Sequence, residues 1–141
     1  MNRREQTVEF ERLASGDVLP VLAIPVTIKS IVTSAIATRD FHPVHHDSAF
    51  ARATGAPDIF MNILATNGYV ERFVREWAGQ EARIRSISIR LGVPNYPGDV
   101  MRMTGVVSHL ADDGGRWVDV AVRGENERGT HVTGSVRIDW G

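Results

Sequence analysis

Pro57-Asp58-Ile59-Phe60-Met61-Asn62-Ile63-Leu64-Ala65-Thr66-Asn67-Gly68-Tyr69-Val70-Glu71-Arg72-Phe73-Val74-Arg75-Glu76-Trp77-Ala78-Gly79 is the stretch on which the fold turns. Pro57-Asp58 opens it and Gly79 closes it, and the pattern between them predicts one long helix over residues 59–78. Ile63, Val70, Phe73, Val74 and Trp77 fall on one stripe, as expected of a helix buried along one side. Two positions are unusual for a plain core helix. Asn62 and Thr66 stand four apart and put polar groups on one face near the N-terminal end, as pocket candidates. Gly68 sits in the interior, where glycine costs up to about 1 kcal/mol against alanine; close packing of helix on sheet would explain it.

Downstream of this helix the period changes. Residues 84–93, 100–109, 116–123 and 131–140 read as four strands. Asp112-Asp113-Gly114-Gly115 and the segment Glu125–Gly129 supply hairpin turns between the last three. The expectation is an antiparallel meander. Upstream, Val18–Ile28 reads as an extended edge segment interrupted by Pro20 and Pro25. Ile31, Val32, Ala35 and Ile36 give Ser30–Thr38 a helical spacing, and Asp47 or Ser48 can cap a short helix through Ala53 that Gly55 ends. Met1–Arg12 reads as a loose arm. The predicted class is α+β, with a curved antiparallel sheet wrapped around one long central helix in a single domain over residues 1–141.

Composition sets the outer bounds. The chain has 141 residues, 43% hydrophobic and 23% charged, with a net charge of −1. Those values fit a soluble globular domain and give no reason to expect nucleic acid or an acidic membrane as partner. Without cysteine there is no disulfide, thiolate metal site or thiol nucleophile. No apolar run reaches the length of a bilayer span. A soluble, cytoplasmic enzyme or binding domain is the resulting expectation.

Between the two predicted helical regions lies Thr38-Arg39-Asp40-Phe41-His42-Pro43-Val44-His45-His46-Asp47, which holds three of the five histidines. Pro43 excludes a helix interior and pushes His42 toward an extended conformation. In a fully extended chain Asp40 and His45 would stand up to roughly 17 Å apart. A turn at His42-Pro43 would bring both side chains to one water molecule, and a carboxylate with an imidazole on one water is a general acid–base device. Two other readings stay open at this point. Asp40 can cap a turn while the histidines face solvent, or His42, His45, His46 and Asp47 can ligate zinc or iron. Against the metal, adjacent His45 and His46 point apart in extended chain.

The order of elements, with Asp40-Phe41-His42-Pro43-Val44-His45-His46-Asp47 ahead of the long helix and Pro94-Asn95-Tyr96-Pro97-Gly98-Asp99 between strands, resembles the hot-dog fold of the MaoC-like (R)-specific enoyl-CoA hydratases. A narrower likeness rests on Ala37-Thr38-Arg39-Asp40-Phe41, Val44-His45-His46-Asp47, Asp58-Ile59-Phe60-Met61-Asn62-Ile63-Leu64 and Arg90-Leu91-Gly92-Val93-Pro94. These segments look like the small catalytic subunits of actinobacterial steroid side-chain enoyl-CoA hydratases. The resemblance implies that Asp40 and His45 are the catalytic pair, acting on an acyl-CoA thioester from a shortened cholesterol side chain. It implies no metal and no cofactor beyond the coenzyme A of the substrate. It also implies a homodimer or a heteromer with a second MaoC-like chain. Asn62, Ile63 and Thr66 are the expected substrate-binding residues, with the Ile63 N–H on the thioester oxygen. There are two departures: His42 replaces the family's asparagine, and Met61-Asn62-Ile63 replaces Ala-His-Gly. A hot-dog thioesterase and a non-catalytic assembly subunit are the alternatives, since the fold hosts several functions.

Overall fold

A computed structural model describes residues 7–141. Among the described residues, strands β1 (Leu22–Pro25), β2 (Arg83–Leu91), β3 (Val100–Leu110), β4 (Trp117–Asn126) and β5 (Gly129–Asp139) form one antiparallel sheet in the order β1-β3-β4-β5-β2. Helices α1 (Ile28–Ala37), α2 (Ser48–Ala53) and α3 (Ile63–Ala78) complete the domain. The expected sheet curled around one long helix is present. One connection differs from the expected meander. Only β3, β4 and β5 run as consecutive hairpins, while β2 crosses the sheet to pair with β5. Periodicity identifies a strand but not its neighbour, and that crossover turns β2 and β1 into the two edges.

Alternation along the strands explains the core. Met101, Met103 and Val107 of β3, Val118, Val120 and Val122 of β4, and Val132, Val136 and Ile138 of β5 are buried. They face Ala65, Val70, Phe73, Val74 and Ala78 of α3. At Gly105 a Cβ would come within 2.9 Å of the Phe73 ring, so the missing side chain lets that ring lie on β3. The helix stripe holds at Val70, Phe73 and Val74, with Trp77 half-buried against Trp140. Ile63 departs from the stripe and is 52% exposed; at this end of the helix the buried face runs through Ala65 and Thr66 instead.

Glycine provides two opposite tests of the packing. A Cβ on Gly134 would collide with the Ser88 carbonyl oxygen and crowd Ile89 of β2. Gly134→Ala is therefore expected to lever β2 off β5 and to cost about 1–3 kcal/mol. Gly68, by contrast, is exposed and a Cβ there would meet nothing within 4 Å, so the close-packing explanation for it does not hold. Gly68→Ala should stabilise the isolated chain by about 0.5–1 kcal/mol through helix propensity. Urea unfolding of both variants checks the pair: midpoints moving in the same direction would contradict this packing.

The N-terminal segment is less loose than expected. Residues 1–6 of the predicted arm lie outside the described residues. Phe10, in a 3-10 turn over Phe10–Arg12, packs on Trp140 at a ring distance of 5.9 Å, and Arg116 reaches Glu11 at 2.8 Å. Among the described residues no helix is long and apolar enough to cross a membrane.

Candidate active site

The site begins at the end of α1. Arg39 N–H donates to Ile36 O at 3.0 Å and Asp40 N–H to Ala35 O at 2.9 Å, closing the helix with Arg39 at φ 57°. This is the paired-bond helix ending that glycine ordinarily occupies, and a non-glycine residue there costs about 1–2 kcal/mol. It turns the chain sharply, so that Asp40 leaves the helix fixed at its own backbone. Pro43 then takes the first position of a 3-10 turn, Pro43–His45, capped by the His42 ring, which accepts from Val44 N–H at 3.4 Å. The turn expected at His42-Pro43 has brought the two ends together. His45 Nε2 lies 3.2 Å from Asp40 Oδ2, with the histidine side chain 10% and the aspartate side chain 29% exposed.

The tautomer of His45 follows from its other nitrogen. Nδ1 lies 2.7 Å from the Phe60 carbonyl oxygen. A carbonyl can only accept, so Nδ1 carries a hydrogen. In the neutral ring Nε2 is then a lone pair facing a carboxylate oxygen. Two acceptors at that distance attract only when a proton lies between them or a water donates to both. The pair is thus built to take up one proton from a donor placed against it. Burial pushes the Asp40 carboxyl up, but the Asn62 amide, the His42 N–H and the His45 and His42 imidazoles outweigh it and hold it below its ordinary range.

Residues 9–128 match the family model described as MaoC like domain. The chain belongs to this family. Among its relatives, the 3-oxo-4,17-pregnadiene-20-carboxyl-CoA hydratase beta subunit of Mycobacterium tuberculosis is 46% identical over 123 residues, covering 87% of this chain and 93% of that one. The crystal structure of the ChsH1-ChsH2 complex from the same organism contains a chain that matches with a TM-score of 0.85 at 44% identity, covering 89% of this chain and 97% of its own. An (R)-hydratase from A. caviae involved in PHA biosynthesis matches equally well in shape, at TM-score 0.85 over 93% of this chain and 99% of that one, but at 20% identity it supports the hot-dog fold alone.

Within this MaoC-like domain the central helix starts later than expected. Asn62 is its N-cap, and residues 59–61 are extended: Phe60 N–H donates to Val44 O at 3.2 Å and Met61 N–H to Asn95 O at 3.1 Å. Buried Asn95 is itself held by Asn126, whose amide donates to its Oδ1 at 2.8 Å. This segment is therefore clamped between the Asp40–Asp47 loop and the turn after β2. That clamp aims the Phe60 carbonyl at His45, and the Phe60 ring packs edge-on against His45 at 5.2 Å. Nothing local in the sequence marks Phe60 as the group that orients His45.

Of the expected substrate-binding residues, two are placed elsewhere. Asn62 is 2% exposed: Oδ1 accepts from Ala65 N–H at 3.1 Å, and Nδ2 donates to Thr38 Oγ1 at 2.9 Å and Asp40 Oδ2 at 3.2 Å. Thr66 is fully buried, with Oγ1 2.8 Å from His131 Nε2. Their four-residue spacing did mark one face, but that face is turned inward, where polar groups must pair with protein. Ile63 remains at the surface. The first-turn N–H groups of Ile63 and Leu64 have no intrahelical acceptor, being ahead of the first i→i−4 bond. Phe41, Ile36, Ile63 and Leu64, at 65%, 56%, 52% and 50% exposure, flank Asp40 and Asn62 with apolar surface.

His131, to which the sequence assigned no partner, links β5 to α3. Its Nδ1 lies 2.7 Å from the Val93 carbonyl, so Nδ1–H donates there and Nε2 accepts from the Thr66 hydroxyl. Burial pushes its pKa down, against the Val93 hydrogen bond and the Asp99 charge, which raise it. The unfolded chain therefore binds this proton more readily than the folded one. Stability should be full above about pH 6.5, the unfolded histidine value, and fall as pH drops below it, with a slope of up to about 1.4 kcal/mol per pH unit. Asp40 also has a lowered pKa, but its loss sets in only below about pH 4 and does not overlap this window. His131→Gln should flatten the slope between about pH 7 and 5 in urea-unfolding series, whatever it does to absolute stability. An unchanged slope would contradict the assignment.

Proposed function

We propose that this chain adds water across the α,β double bond of a 2-enoyl-CoA thioester, with a steroid side-chain intermediate as the acyl group. The observation that carries the reading is the 3.2 Å approach of His45 Nε2 to Asp40 Oδ2, beside apolar surface and the N-terminus of α3. The likeness to a pregnadiene-carboxyl-CoA hydratase subunit supports the acyl group.

In this reading the pair holds the water, and its oxygen attacks the β-carbon as one proton passes to Asp40/His45. The same pair returns a proton to the α-carbon in a syn addition. Negative charge gathers on the thioester oxygen, and the Ile63 or Leu64 N–H at the positive end of α3 stabilises it. Base and acid roles are assigned to the pair, not to either group alone. Water and the pair balance the reaction without a resident cofactor or metal, and coenzyme A enters as part of the substrate.

The acyl pocket is completed by a second MaoC-like chain. The relatives' names describe a beta subunit and a two-component complex, and β2 offers an open edge for pairing. A cytoplasmic setting suits a CoA-linked substrate. A panel of enoyl-CoA thioesters from short linear to steroid, assayed with the chain alone and with candidate partner chains, tests the reading. Hydration with intact thioester supports it. Release of free CoA thiol would make the chain a thioesterase, and no turnover with any partner would make it an assembly subunit.

A further inference from the structure

We propose that Asn62 is a positioning residue for Asp40, tying the start of α3 to the orientation and ionisation of the carboxylate in the hydration reaction; the inference rests on the reading above. Its amide is fully engaged. Oδ1 accepts the Ala65 backbone N–H at 3.1 Å, and because a backbone N–H must meet an oxygen, this bond fixes which end of the amide faces which way. Nδ2 is thereby directed to Thr38 Oγ1 at 2.9 Å and Asp40 Oδ2 at 3.2 Å. Both Nδ2 hydrogens are used, and at 2% exposure the amide is not presented to a substrate.

The oxygen that Asn62 holds is the one that faces His45 Nε2. An amide N–H can donate but cannot take a proton, so at Oδ2 it favours the carboxylate over the acid. It also restricts the direction in which the remaining lone pair of Oδ2 is offered. Asp40 is thus fixed from three sides: its backbone by Ala35, Oδ1 by His42 N–H at 3.4 Å and Oδ2 by Asn62. The titratable groups facing it are His42 and His45 of the loop. The last turn of α1 carries no basic or acidic residue, and the first turn of α3 carries none either.

If Asn62 were only a helix cap, other good caps would serve equally. Asn62→Ser and Asn62→Asp both keep a cap oxygen. Serine cannot reach Asp40 with a donor, and aspartate puts a second carboxylate where the donor was, so that two acids share a proton and titrate higher. The expected result for Asn62→Ser is a protein that folds with a lowered thermal midpoint, kcat about tenfold lower and KM within about twofold. For Asn62→Asp, the acid limb of kcat/KM should move up by about 1–2 pH units. Histidine-selective NMR supplies a readout free of turnover: the titration step of the His45 ring protons should move in Asn62→Asp relative to wild type. Wild-type kcat and pH profile in folded Asn62→Ser, with an unmoved His45 step in Asn62→Asp, would overturn the proposal and leave a cap alone. A wild-type protein that hydrates no enoyl thioester would defeat the functional reading instead, while the His45 titration would still decide whether Asn62 governs the pair.

Discussion

Asp40→Asn and His45→Ala should each lose about 10²–10⁴-fold in kcat while the protein stays folded, the range typical of a general acid–base group. Asp40→Asn keeps the side-chain volume, whereas His45→Ala empties a buried position beside Phe60 and loses some stability. Asp40 keeps its backbone bond to Ala35 when the carboxylate becomes an amide, while loss of His45 leaves the Phe60 carbonyl without its partner. The Asp40→Asn variant is the sharper of the two. It preserves volume and removes the capacity to take a proton, although its NH2 must replace one of the two oxygens that accept from His42 N–H and Asn62. In the proposed mechanism both groups act on one water, so the double variant should be little worse than the poorer single one. His46→Ala serves as the control, since that side chain is exposed and caps only the 3-10 turn through its backbone. Stopped-time assays of enoyl-CoA hydration, with circular dichroism to verify folding, decide the matter. Near-wild-type rates in either folded single variant would sink the assignment, and an equal collapse at His46 would return attention to a metal.

The second large effect concerns assembly. If the proposed heteromer is the working form, the isolated chain should turn over a polycyclic enoyl thioester about 10²-fold more slowly than the chain combined with a second MaoC-like chain, the scale expected when a reacting group is misplaced by about 1 Å. Strand β2 presents nine residues at an open edge of the sheet. Its charged residues, Arg83, Arg85 and Arg90, sit toward the two ends, and Arg85 is paired with Asp139. The centre, Ser86-Ile87-Ser88-Ile89, offers little to discourage pairing. Ile84, Ile87 and Ile89 are only partly buried by this chain's own core. Exposed Phe41, Ile63 and Leu64 leave apolar surface beside Asp40 that one chain does not cover. A partner with a shortened helix would widen the space for a rigid acyl group, which two identical copies of α3 would narrow. Sedimentation of the isolated chain and of the co-expressed pair, each followed by assay, separates the possibilities. A stable, active monomer would end the dimer proposal. A homodimer fully active on steroid thioesters would end the heteromer proposal and leave the dimer standing.

The α+β class, the one long helix, the strands and the Asp40/His45 candidates are legible from residue order, because each depends on local physics. Alternation of apolar residues is set by strand geometry, the stripe of Val70, Phe73 and Val74 by helix geometry, and the fold-back of the Asp40–Asp47 loop by the restricted backbone at Pro43. Even Gly79, at φ 89°, could be read as a helix stop from its identity alone. Tertiary structure alone decided what depends on neighbours distant in sequence. The crossing of β2 to β5 is one such feature, since β2 would alternate identically beside any strand. The start of α3 is another: Ile59, Phe60 and Met61 have helix-compatible side chains, yet their N–H groups are taken by Asp58, Val44 and Asn95. Asn62 and Thr66 carried the right signal of a polar helix face, but whether that face opens on substrate or on Asp40 and His131 is set by which loop and strand lie across from it. A hydrogen bond spanning 65 residues, as between Thr66 and His131, leaves no mark in either local sequence. Its partners meet only because the sheet curls around the helix, and it is that closure which makes two ordinary polar residues part of one buried network.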